Sequence, residues 1–429
     1  MSVKTLLMPF ITQRMLSRKR LLAKRERAES LRAKQGRPHT LMYFHQVDDP
    51  YSALVVQVLG KLMAAYDVTL QVHLVSPPPD AAAPERDKLV AYSRTDATHL
   101  ARYWGLVFED PGQQPKPEAV GQASLLLLNA IEAGVFVDDA QAITHTLWQG
   151  LPLPPGPAAT LAKLKEHQSL ADRLRERLGH YLGGMLYYEG EWYWGIDRLY
   201  HLEERWRGLG LARKPGHGFL FPRIPDLKLE QPASAANEID FFFSFRSPYS
   251  AIVAPRVFEL ARLTGVRVNL KFVLPMVMRG LPVPAPKRQY IVHDTAREAH
   301  ARGIPFGRLN DPVGAPAERA LAIMPLAIAQ TRGEQFVLSF MQGVWAEGMD
   351  AGSDKGLRII CDRAGLDWGD VQLALQDGTW RAQAEANREL LFSLGLWGVP
   401  SFRVGNTVTW GQDRLWLLQQ ALLATPQAV

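Results

Sequence analysis

Apolar and polar positions along this chain follow strand and helix periods in the same order twice. Thr40 to Phe44 is a short β-type run, and Leu54 to Leu62 then carries apolar residues at helical spacing. Between them lie Asp48-Asp49 and Pro50. Proline is tolerated in a first helical turn because its missing N–H would have no intrahelical partner. Val68 to Val75 predicts the next strand, helical segments fill roughly 85–180, and Met185 to Tyr188 with Glu191 to Trp194 predict a hairpin around Glu189-Gly190. The pattern then restarts. Ile239 to Phe243 predicts a buried strand, Pro248 to Leu263 a helix and Val266 to Leu274 a second strand. A helical insertion follows from about Lys287 to Phe392. The hairpin Ser401–Val404/Thr407–Trp410 turns at Gly405-Asn406, and a closing helix runs from Gln412 to Leu423.

Local motifs repeat with the pattern. Asp49-Pro50-Tyr51-Ser52-Ala53 recurs as Ser247-Pro248-Tyr249-Ser250-Ala251, and Trp194-Gly195-Ile196-Asp197-Arg198-Leu199 recurs as Trp410-Gly411-Gln412-Asp413-Arg414-Leu415. Tyr92 and Asp96 answer to Tyr290 and Asp294, and Trp148 answers to Trp345. A domain-sized period of this kind points to a tandem duplication rather than a solenoid. Strand, helix, strand, helical insertion, hairpin, helix is the thioredoxin-like order. The expected fold is therefore α/β, with two tandem thioredoxin-like domains, each with an inserted helical subdomain. The expected boundaries are a basic extension 1–39, a degenerate domain 40–208, a linker 209–236 rich in proline and glycine, and a second domain 237–429.

Composition changes the picture in two places. The net charge of +6 is a tail property: residues 1–39 hold 11 Lys/Arg and 2 Asp/Glu, leaving −3 for the other 390. A nucleic-acid-binding face on the folded body is therefore not expected. The tail lacks the residue order of a secretory signal, and no apolar stretch is long enough to span a membrane. An Arg-rich, acid-poor start also suits a mitochondrial presequence; the preferred expectation is a basic helix packed partly on the body of a cytoplasmic protein. The single cysteine, Cys361, lies in an apolar helical run, excluding an intrachain disulfide or CxxC pair and predicting a buried, inert thiol. No metal site is expected.

Three features of the second repeat carry candidate chemistry. Ser247 stands at a helix start after a strand, where unpaired N–H groups and the helix dipole favour an anion by roughly 0.3–2 kcal/mol. A plain N-cap, worth about 1 kcal/mol, is the alternative for that serine. Gly398-Val399-Pro400 precedes the hairpin; a cis proline there would leave the Val399 backbone free to pair with an extended ligand, and a plain loop is the alternative. Gln412 and Asp413 open the last helix, either to hold the charged ends of an amino-acid group or as ordinary first-turn residues.

The segments Phe243-Ser244-Phe245-Arg246-Ser247-Pro248-Tyr249-Ser250, Gly398-Val399-Pro400-Ser401 and Trp410-Gly411-Gln412-Asp413-Arg414-Leu415 resemble the 2-hydroxychromene-2-carboxylate isomerases and kappa-class glutathione transferases of the DsbA-like thioredoxin superfamily. The resemblance covers most of 237–425. It implies glutathione as cofactor, with Ser247 bonded to its sulfur, Val399 and Pro400 along its backbone, and Gln412 and Asp413 at its γ-glutamyl end. Lys287 matches a lysine near glutathione or substrate. The implied activity is a glutathione-dependent isomerase or transferase acting on an aromatic or conjugated keto-acid in aromatic-compound catabolism. The family pattern usually has aspartate at Ser244 and serine or asparagine at Gln412, and its asparagine after the second strand is missing from 273–284. The competing expectation is a non-catalytic binding or scaffold protein; thiol–disulfide exchange is disfavoured because neither Ser247 nor Ser250 is cysteine. The first repeat has Asp49 for the serine and Gly184 for the proline. It is expected to be a structural partner, forming an intrachain pseudo-dimer with the second.

Overall fold

The computed structural model describes residues 3–155, 159–214, 216–228, 230–233 and 238–424. It divides into two compact units: Ala23–Arg223 with Pro284–Lys287, and Ile224–Val283 with Arg288–Val429 and the chain up to Leu22. Residues 234–236, part of the expected linker, lie outside the described residues.

The N-terminal unit is built on one four-stranded sheet in the order β2-β1-β3-β4. Its strands are β1 (Thr40–His45), β2 (Thr69–Leu74), β3 (Met185–Tyr188) and β4 (Glu191–Trp194). β1 pairs parallel with β2 and antiparallel with β3. The β3–β4 turn places Glu189 at φ 38° and Gly190 at φ 90°, and two positive values in succession suit the right-handed twist of a two-residue hairpin. Helix Pro50–Ala65 crosses from β1 to β2, as a parallel pair requires. Helices Arg86–Trp104, Pro117–Glu132, Phe136–Trp148 and Leu161–Arg177 form the insertion before β3.

The C-terminal unit has the same plan, with its sheet in the order β6-β5-β7-β8. These strands are β5 (Glu238–Phe243), β6 (Arg267–Phe272), β7 (Ser401–Val404) and β8 (Thr407–Trp410). β5 is buried along almost its whole length, which explains its unbroken apolar run Phe241-Phe242-Phe243. The Phe241 ring stacks on Phe402 across the β5–β7 pair at 5.1 Å. Asp240 is the polar exception among that strand's buried residues. It is satisfied by its cross-strand partner Arg403, whose Nε donates at 2.7 Å, and by Asn269 Nδ2 at 3.0 Å. Helix Pro248–Thr264 links β5 to β6, and helices between Ala285 and Ser393 form the insertion.

The basic tail is two helices, Val3–Leu16 and Arg18–Lys34, and the first is part of the C-terminal unit. Leu16 is 4% exposed within that unit's hydrophobic core. Thr12 Oγ1 accepts from the Leu309 amide at 2.9 Å, and His300 Nε2 lies 3.0 Å from the Leu16 carbonyl. The second helix serves the N-terminal unit, where Arg25 forms a two-pronged ion pair with Glu191. The tail thus differs from the single extension expected at 1–39, because its apolar positions complete a core and its arginines find carboxylates. No helix among the described residues is long and apolar enough to cross a membrane. Cys361 is buried, and burial pushes its thiol up to about 12.

If the first helix is a core element, Leu16→Ala should destabilise the C-terminal unit by about 2–5 kcal/mol, the usual cost of deleting a buried leucine. Denaturant unfolding of the full chain, followed by tryptophan fluorescence, measures this. A midpoint unchanged from the parent would contradict it.

Candidate functional site

Ser247 is the N-cap of helix Pro248–Thr264, with φ −94° and ψ 114°, and Pro248 occupies the first turn. Its amide donates to the Ser244 carbonyl at 2.9 Å. Its Oγ accepts from the Ser250 amide at 3.1 Å and donates to the Val399 carbonyl at 3.4 Å. The serine is therefore both a cap and a bridge to a loop 152 residues away. Tyr249, next in the chain, is anchored through its hydroxyl to Asp294 Oδ2 at 2.8 Å, and Arg297 holds the other oxygen at 2.7 Å. That anchor fixes the first turn from the insertion side.

The facing loop is equally constrained. The Val399–Pro400 peptide is cis, as the sequence led one to expect. Ser401 Oγ donates to the Gly398 carbonyl at 2.7 Å, and the Gly411 amide donates to the Pro400 carbonyl at 2.9 Å. A Cβ on Gly398 would come within 2.6 Å of the Trp410 ring, so only glycine lets the indole pack there. Between these fastenings, Val399 takes part in no backbone–backbone hydrogen bond among the described residues. The residue is half-buried, and its amide is able to pair with an extended backbone.

Gln412 and Asp413 differ from each other. Gln412 is 1% exposed and its amide is used internally. Arg256 Nη1 donates to its Oε1 at 2.6 Å, while its Nε2 donates to Glu298 Oε2 at 3.1 Å and to Asp413 Oδ1. Arg256 in turn is paired with Asp226 at 2.6 Å. The glutamine is thus a buried node that orients Asp413; a direct ligand contact would require it to give up these bonds. Asp413 keeps a partly exposed side chain. Lys287 does not join this set. It groups with the N-terminal unit, where its Nζ donates to the Ala82 carbonyl at 2.9 Å and burial lowers it to about 8.

The residues that position the site but carried no sequence signal of their own are Arg256, Glu298 and Asp226. Asp294 did carry one, since it recurs with Asp96. In the N-terminal unit Tyr51 donates to Asp96 at 2.9 Å, the counterpart of Tyr249 with Asp294.

The corresponding helix start in the N-terminal unit is filled by the chain itself. Asp49 caps helix Pro50–Ala65, and its Oδ2 accepts from both the amide and the hydroxyl of Ser52 at 2.8 Å each. Gly184, at φ +62°, presses so close that a Cβ would meet that same Oδ2 at 2.9 Å. Burial lifts the Asp49 carboxyl to about 6, against the pull of the Ser52 donors.

That shift has a definite sign. The folded unit holds a proton that the unfolded chain releases once pH exceeds 3.8, so this group's contribution falls as pH rises from about 4 to 6 and is flat above. Buried His45 and His73, lowered to about 3 and about 4, act oppositely, so the parent profile is a mixture. Asparagine also caps well. Asp49→Asn should therefore gain stability relative to the parent between pH 4 and 6 and keep the gain at pH 7. Melting temperatures of the two proteins across pH 4–8 check this; a constant difference would refute it.

Residues 238–423 match the DSBA-like thioredoxin domain family. The 2-hydroxychromene-2-carboxylate isomerase of Sphingobium xenophagum is 26% identical over 197 residues, covering 97% of that protein and 43% of this chain. The same-named protein of Pseudomonas putida is 23% identical over 192 residues, covering 93% of its length and 43% of this chain. Among solved structures, a 2-hydroxychromene-2-carboxylate isomerase aligns at 22% identity and a TM-score of 0.38, covering 93% of its chain and 43% of this one. Residues 238–423, which contain Ser247, Val399, Pro400 and Asp413, are a DSBA-like thioredoxin domain.

Proposed function

We propose that the C-terminal domain is a glutathione-dependent isomerase or transferase of the 2-hydroxychromene-2-carboxylate isomerase type, acting on an aromatic or conjugated keto-acid. The observation that carries this reading is the meeting of Ser247 Oγ, at a 17-residue helix start, with the backbone of Val399. Bound glutathione supplies a thiolate able to add to a conjugated carbon and leave again after rotation about the weakened bond. The chain's residues fit that role. Ser247 and the first-turn amides favour a sulfur anion over the thiol, since hydrogen bonds to the charged form lower a pKa. Val399 offers to the tripeptide backbone, beside Pro400, an amide in no backbone pair and a carbonyl held only by the Ser247 hydroxyl. Asp413, oriented by Gln412, suits the ammonium of the γ-glutamyl group. Serine is not the covalent nucleophile here, because no base lies within its hydrogen-bond partners. The cytoplasm, where glutathione is kept reduced, is the compartment this reading assigns.

We further read the two units as products of one duplication. Their common strand order and the paired Tyr51–Asp96 and Tyr249–Asp294 bonds support it. With Asp49 seated at its helix start, the N-terminal unit has a structural role. The buried, fully engaged Gln412 favours one competitor, a domain that kept the fold and binds no tripeptide.

Calorimetry with reduced glutathione separates the two, because the scaffold reading predicts no heat. Turnover of 2-hydroxychromene-2-carboxylate should fall at least tenfold in Ser247→Ala, on the scale of about 1.5–3 kcal/mol for a hydrogen bond to a charged group. Unaltered turnover with a lowered melting temperature would leave Ser247 only its capping role.

A further inference from the structure

Ser250 is completely buried, and among the described residues its Oγ has no hydrogen-bond partner. Leaving a buried hydroxyl unsatisfied costs about 1–3 kcal/mol, so the residue calls for an explanation. Ser250 occupies the third helical position after the Ser247 cap, and a side chain there reaches back toward the cap residue. The usual target, the cap amide, is already taken: Ser247 N–H donates to the Ser244 carbonyl at 2.9 Å. The hydroxyl is thus placed at the helix start with nothing among the described residues to bind.

The N-terminal unit shows what such a hydroxyl binds. Ser52 stands three residues after Asp49 as Ser250 stands three after Ser247. There Ser52 Oγ and Ser52 N–H both donate to one carboxylate oxygen, Asp49 Oδ2, at 2.8 Å each, and the hydroxyl also accepts from the Gln46 amide at 3.2 Å. In the C-terminal unit the cap side chain is neutral. It receives the amide, Ser250 N–H, at 3.1 Å, and leaves the second donor idle.

We propose that the Ser250 hydroxyl is a second donor to the glutathione sulfur anion, acting beside Ser247 from beneath the helix start. This rests on the glutathione reading above. Ser247 and Ser250 then divide the work: the first turns its single O–H from the Val399 carbonyl to the sulfur, and the second supplies a buried O–H whose bond is made only when an anion arrives. Because that bond is absent without ligand, the Ser250 hydroxyl adds no hydrogen bond to the free protein among the described residues.

The test uses the full chain and reduced glutathione, with the bound thiolate followed by its absorbance near 240 nm as pH is varied. Ser250→Ala should raise the thiol pKa of bound glutathione by about one unit, the equivalent of one charged hydrogen bond. It should also leave the melting temperature unchanged or higher, since an unsatisfied buried group has been removed. An unshifted thiol titration would overturn the proposal, and so would a lower melting temperature without a shift, which marks a packing role. If the parent binds no glutathione, the functional reading fails, and Ser250 is judged on an internal anion instead. Ser247→Asp places a carboxylate at the cap, as Asp49 is placed. Adding Ser250→Ala to it should move the pH dependence of its melting temperature to higher pH; an unmoved profile would refute the donor role.

Discussion

The close approach of the Gly398–Pro400 bend to the first turn of helix Pro248–Thr264 is the constraint on which the geometry of the C-terminal domain's candidate site depends. Several unrelated contacts enforce it. Trp410 packs where a Gly398 side chain would stand, Gly411 holds the Pro400 carbonyl, and Ser247 reaches the Val399 carbonyl. From the other side, Asp294 and Arg297 fix Tyr249 in the first turn. These fastenings are all made within the protein, so donors at the helix start and the backbone of Val399 are presented together without a ligand to organise them. Pre-organisation of this kind lowers the cost of ordering on binding.

The same constraint explains why the polar residues around the site are so unequal. Gln412 and Asp413 are neighbours in sequence, yet one is a buried strut and the other is partly exposed. Arg256 is the cause. It projects from the helix that Ser247 caps and needs acceptors for a buried guanidinium, which Asp226 and Gln412 supply. Burying that charge without them would cost several kcal/mol. The result ties the start of the last helix to the helix behind the site, and Asp413 inherits its orientation from the arrangement.

Much of this was legible in the sequence wherever the signal was local. The apolar run of Phe241-Phe242-Phe243, the Glu189-Gly190 and Gly405-Asn406 turns and the proline after Ser247 each specify their element within a few residues. The cis peptide at Pro400 and the helix start at Ser247 were likewise readable from short motifs. What escaped was long-range and polar. Asp226 lies in a linker-like segment, and nothing in its neighbours announces a partner at Arg256. Gln412 reads as exposed first-turn chemistry until the arginine beneath it is seen. Lys287, read beside Tyr290 as a site lysine, groups with the N-terminal unit, where Ala82 supplies an acceptor. Asp96 and Asp294 were visible as a repeat, but the tyrosines bonded to them lie 45 residues earlier, beyond any local pattern.

The two helix starts show how one charge decides what a site can hold. Each offers an amide, a serine hydroxyl and the positive end of a helix, an environment worth roughly 0.3–2 kcal/mol to a single anion. A second anion beside the first, about 3.5 Å away in an environment of effective dielectric near 20, would be repelled by about 5 kcal/mol. Repulsion exceeds attraction, so an ionised Asp49 excludes any free anion from the N-terminal helix start. With its carboxyl lifted to about 6, Asp49 is mostly ionised at neutral pH, and Gly184 closes the same space sterically. At Ser247 the cap is neutral, the electrostatic gain is unspent, and the Ser250 hydroxyl lies unpaired beneath it. One covalently attached carboxylate is therefore sufficient to separate a helix start that is complete in itself from one whose buried serine hydroxyl has no partner among the described residues.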